Sequence, residues 1–125
     1  MANPNIVNVT TIYGNSSQTS LSTTSATSLV SNAASSGKVY KINSIVVANV
    51  DGTNNNEVTV NIYSQAALGG TAYPLVSTIV VPADASLIVI DKTTSFYLLE
   101  NQSVGATAGT ASDLVVNCSW EEISS

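Results

Sequence analysis

The chain has 125 residues, a length that suits a single domain over residues 1–125, with 44% hydrophobic and only 9% charged residues, against about 25% charged in ordinary globular domains. Three lysines against eight acids, with no arginine and no histidine, leave a net charge of −5. That excludes the phosphate neutralisation that nucleic-acid binding needs, and it excludes a polybasic membrane anchor.

In chain order, the first element is Asn5 to Tyr13, where Val7 and Val9 share one parity and Ile6 and Ile12 the other. Pro4 ahead of it marks an edge or a free arm. Residues 1–13 therefore read as either an N-terminal attachment arm or an edge strand. Neither a basic nor a sustained apolar region opens the sequence, so no signal peptide is expected. Gly14-Asn15-Ser16 is a turn signal. The Ser- and Thr-rich stretch Ser16–Ser36 reads as one or two Thr-rich strands around Ser25-Ala26 rather than a linker, with Leu29-Val30 as its apolar pair.

Lys38 to Val50 is a long strand whose centre, Ile45–Ala48, is apolar on both parities and expects cover on both faces. In the next run Val58, Val60 and Ile62 alternate with Glu57, Thr59, Asn61 and Tyr63, a period of two residues. Asp51–Asn56 lies between them and is rich in turn formers, so the two strands are expected to form a central hairpin. The loop Asp51–Glu57 has the oxygen-rich composition of a calcium site but lacks the EF-hand spacing, and a polar turn is the preferred reading. Ser64–Pro74 reads as a loop broken at Gly69-Gly70. Strands follow at Leu75–Val81, Ser86–Asp91, Phe96–Leu99 and Ser103–Ala108, the last weak. A clean final strand runs from Asp113 to Glu122, with Leu114, Val116, Cys118 and Trp120 facing inward.

Short strands with a turn about every 8–12 residues, and no helical period, predict an all-β fold. The expected architecture is a two-sheet antiparallel sandwich of about eight strands, jelly-roll or Ig-like.

The chemistry that the sequence offers is sparse. Without histidine the usual serine-hydrolase triad cannot form, and Lys38, Lys41 and Lys92 lie in no recognisable dyad motif. Cys118 stands alone, on the inward parity, and reads as a buried thiol with no base to activate it. The expectation is a protein that is not an enzyme, with no cofactor and no metal. Tyr63, on the polar parity, and Tyr73, beside Pro74, are candidate partner contacts. Ile6, Val7, Val9 and Ile12 join them, because apolar residues on both parities of a terminal strand need cover on both sides: either residues 5–13 form an internal strand, the slightly preferred reading, or another chain supplies the cover by strand addition.

Four stretches carry a resemblance: ANPNIVNVTTIYG, KINSIVVANVDGTNNNEVTVNIY, VPADASLIVIDKTTSFYLLENQSV and CSWEEI. Together they resemble small virion structural proteins of tailed bacteriophages, cyanophages above all, and they cover most of the chain outside Ser16–Ser36. Where chains of this look often read Glu-Gly-Asp, this one reads Glu100-Asn101-Gln102, ahead of a strand poor in large apolar residues. The resemblance implies a head decoration (cement) protein that binds between capsomers on the virion's capsid surface. It further implies synthesis in the host cytoplasm, assembly as a homotrimer, and the major capsid protein or other virion proteins as partners. A neck, tail or fibre component is the alternative. A receptor- or glycan-binding module, reading through Tyr63 or Tyr73, is a further one.

Overall fold

A computed structural model describes residues 4–125. They form nine strands: β1 (Thr11–Ser20), β2 (Thr27–Asn32), β3 (Lys38–Asn49), β4 (Asn56–Gln65), β5 (Gly69–Val81), β6 (Ser86–Ile90), β7 (Phe96–Leu98), β8 (Gln102–Ala108) and β9 (Leu114–Ser124). A 3-10 turn at Lys92–Thr94, between β6 and β7, is the helical element among the described residues. No helix among them is long and apolar enough to cross a membrane.

The strands build two antiparallel sheets. One has the order β1-β9-β3-β6, with β7 also on β3, and the other has β2-β8-β4-β5. The pairing is nested. β4 pairs β5, β3 pairs β6 and β7, β2 pairs β8, and β1 pairs β9. Successive nested pairs fall in alternate sheets, which is the winding of a jelly roll, with β6 and β7 acting as one interrupted strand. The core lies between the sheets: Ile42, Ile45 and Val47 of β3, Val58 and Val60 of β4, Val104, Ala106 and Ala108 of β8, and Leu114, Val116 and Cys118 of β9. Leu29 and Val30 are neighbours in sequence yet both buried. A register shift between Ser28 and Val30 makes Leu29 the extra residue, and a bulge re-aims the side chain that alternation would have sent outward.

Three buried asparagines hold the places where the chain changes sheet. Asn32 Nδ2 donates to the Lys38 and Leu98 carbonyls at 3.0 and 3.2 Å. Asn49 Nδ2 donates to the Asn54 and Val81 carbonyls at 3.0 and 2.9 Å, and its Oδ1 accepts from Asp51 N–H. Asn56 forms a two-way bridge to the Thr110 backbone. A carboxamide carries both donors and an acceptor, so it can take over backbone partners that a departing strand leaves behind.

Several sequence expectations change here. β3 and β4 form no hairpin: they belong to opposite sheets, because each has an apolar inner face and both faces are buried in the one core between the sheets. Val46 and Ala48 are accordingly half-buried, on the outer face of β3, so the cover expected on both sides is only partial. The first strand is Thr11–Ser20, and Asn5–Thr10 is irregular. Gly14-Asn15-Ser16 continues β1 with unbroken pairing to β9. The Ser64–Pro74 loop is instead a hairpin: its turn centres on Ala67 and Leu68, and β5 starts at Gly69. β8, the strand read as weak, lies between β2 and β4 and is buried along most of its length.

Candidate assembly interface

A sandwich has four sheet edges, and exposed edges invite pairing with other chains unless something blocks them. Three of the four are blocked. β5 is displaced by three register shifts against β4 and contains Pro74 and Thr78, the latter with a left-handed φ of 52°. β2 is six residues long and bulged. The β6/β7 edge is split by the 3-10 turn into pieces of five and three residues. β1 differs: its ten residues pair with β9 in one unshifted register, and TIYGNSSQTS contains no proline and no charge. Its other edge is free among the described residues.

The start of β1 adjoins an apolar corner on the outer face of the same sheet. The register sets Ile12, Ile123 and Val39 side by side, and Leu99 follows Leu98, which pairs with Tyr40. Val39 and Ile123 point away from the main core, and neither belongs to its cluster. They are nevertheless only 2% and 5% exposed. The segment Pro4–Thr10 covers this area: Pro4 and Ile6 line an apolar groove of about 200 Å³ with Val39, Tyr97 and Leu99, and Thr10 N–H donates to the Ser124 carbonyl at 2.8 Å.

Ile6, Val7 and Ile12 are exposed at this corner, Val7 at 91%, and Val9 is half-buried. Tyr73 is 59% exposed but lies on β5, in the opposite sheet. Tyr63 is 9% exposed, which corrects its placement on an open polar face. It does point outward on β4, but the β4–β5 turn folds back over it. The Ala66, Ala67 and Leu68 N–H groups donate to Asn101 Oδ1, Ser31 Oγ and Ser103 Oγ. Sequence reasoning missed Tyr97 and Leu99 as part of the corner. Their shared parity, opposite to Leu98, was the signal available.

Charged groups are mostly engaged locally. Lys38 pairs with Glu122, which holds the lysine pKa above its usual value, and Asn15 Nδ2 donates to the same carboxylate at 3.1 Å. Tyr40 stacks on Trp120 beside this pair, with ring centroids 6.4 Å apart. An open groove of about 450 Å³ on the outer face of β3 holds Lys41, Lys92, Asp91 and Glu121. There Asp91 caps the 3-10 turn and Glu121 accepts from Asn43. In the Asp51–Glu57 loop the Asp51 carboxylate accepts from Thr53 N–H, Asn54 N–H and Asn54 Nδ2. These bonds, that from Thr53 N–H foremost, lower its pKa. Its lone pairs thus serve the turn itself. Among the described residues no group of three or more His, Cys, Asp or Glu is placed to hold a metal ion. Cys118 is a buried free thiol, and burial pushes its pKa up to about 11.

No protein-family model and no curated protein matches the sequence. A solved structure from Bacillus endospore appendages, described as a novel family of disulfide-linked pili, aligns over 91% of this chain and 88% of its own, with a TM-score of 0.51 and 23% identity. At that identity the likeness speaks for the fold alone.

Proposed function

We propose that the protein is a structural subunit of a large particle, and that the particle is a phage virion whose head it coats as a decoration protein, without covalent chemistry. The observation that carries the reading is the free β1 edge: ten regular, uncharged, proline-free residues in a molecule whose other edges are all interrupted. An edge of this kind attaches to a partner through backbone hydrogen bonds, which need no charge. That suits a chain in which charged residues are 9% of the total. The resemblance of the four sequence stretches to phage virion proteins supplies the particle, and the major capsid protein is then the partner. A filament subunit is the second reading, favoured by the likeness in fold to the endospore-appendage chain. A glycan-binding module has less support, since Tyr63 lies under the β4–β5 turn.

The test uses a pair of variants, Ser16→Pro and Ser17→Pro. Neighbouring residues of an edge strand alternate between donating their N–H to the sheet and presenting it at the free edge. One variant of the pair should therefore stay folded and lose binding to undecorated heads. Retention of full binding by that folded variant would remove β1 from the interface. Imaging of the purified wild-type protein with and without heads separates decoration from filament formation.

A further inference from the structure

We propose that Pro4–Thr10 is an exchangeable strap, which in assemblies leaves the groove on its own sheet and fills the same groove on a second copy of the chain. The groove states what fits it. Pro4 and Ile6 form one wall of it and Val39, Tyr97 and Leu99 the other, and a neighbour's strap would build the same wall, as in any exchange of identical elements.

The hold on the strap is slight. Val7 N–H donates to Asn5 Oδ1 at 3.0 Å and Asn8 N–H to the Asn5 carbonyl at 3.2 Å, so these bonds are internal and travel with the strap. Thr10 N–H to the Ser124 carbonyl ties its far end to the sheet and sits at the hinge, next to the first residue of β1. The rest is apolar, and burial is incomplete: Ile6 and Val7 remain 50% and 91% exposed. The row Ile12, Ile123, Val39 and Leu99 cannot be left bare without exposing a contiguous apolar patch, so some strap must occupy it. Own and neighbouring straps make equal contacts, and protein concentration then decides between them.

The test uses purified full-length protein and no particle, so it stands apart from the virion reading. Ile6→Cys is made on a tagged chain and Leu99→Cys on an untagged one. Both positions are exposed, and the native Cys118 is buried. The two are mixed, concentrated from micromolar to millimolar and treated with a short bismaleimide. The covalent heterodimer should rise several-fold with concentration and exceed both homodimers. The double variant Ile6→Cys/Leu99→Cys should link within one chain when dilute and between chains when concentrated. Internal linkage at every concentration, with no excess heterodimer from the mixture, would show that the strap is a fixed part of its own fold. Absence of both linkages would show that the strap does not occupy the groove at all. Either result overturns the proposal.

Discussion

Cys118 shows how a single position couples burial to pH. The thiol is packed among Val116, Ile45 and the rest of the core, and burial raises its pKa from 9.0 to about 11. The folded-state pKa therefore lies above the unfolded one. Below pH 9 both states hold the proton and stability is complete. Between pH 9 and 11 the unfolded chain releases it and the folded chain does not, so stability falls, in the limit by about 2–3 kcal/mol. Denaturant melts from pH 8 to 11 should show this slope in the wild type and a shallower one in Cys118→Ala. Equal slopes would mean that the thiol is solvated. In the same way, thiol reagents should label the native protein slowly and the unfolded one at once.

At the scale of elements, the β4–β5 turn is the part whose conformation its own residues least favour. Ala67 and Leu68 both take positive φ, 55° and 61°, where a two-residue hairpin loop ordinarily has Asn-Gly or Gly-Gly. Side chains from β2, β8 and the β7–β8 turn make up for this by accepting three consecutive N–H groups. The turn lies so close over β8 that Gly105 has no room for a side chain. A Cβ there would stand 2.6 Å from Leu68 Cδ2 and 3.1 Å from both the Thr27 carbonyl oxygen and Tyr63 Cε1. Gly105→Ala is expected to cost about 1–3 kcal/mol, in the range of overpacked sites, and to open the turn. Chemical denaturation measures the first effect, and increased Tyr63 exposure, followed by fluorescence quenching, reports the second. A neutral substitution would show that Leu68 swings aside freely.

Across the whole molecule, the nested pairing ties together segments that are distant in the chain: β1 pairs β9 from Thr11↔Ser124 to Ser20↔Val115. Loop closure over such separations must precede the contacts that reward it, and all-β domains of this kind refold in roughly milliseconds to seconds. Stopped-flow refolding by Trp120 fluorescence should fall in that range or slower. A microsecond phase with full amplitude would contradict the long-range topology.

Most strand positions, and the apolar side of each strand, are legible in the residues alone. β4, β6, β8 and β9 begin and end within two residues of the runs that predict them, and in β4 and β9 those runs alternate, because a two-residue period follows from local backbone geometry. The sequence also places Cys118, Leu114 and Val116 inside, and it singles out Ile6, Val7, Val9 and Ile12. The remainder depends on packing between segments that are distant in the chain. Alternation marks an apolar face but not what covers it, so two runs that read as a hairpin, β3 and β4, lie in opposite sheets around a shared core. The β4–β5 turn was illegible because its support comes from Ser31, Asn101 and Ser103, far away in sequence. The parity of Tyr63 points to an open face for the same reason: the turn that hides it is held by those distant side chains. The corner formed by Ile6, Ile12, Val39, Tyr97, Leu99 and Ile123 draws on a strap and four strands. Only the register between β1, β9, β3 and β7 brings these residues together, and register is set by the packed sheet and not by any strand alone.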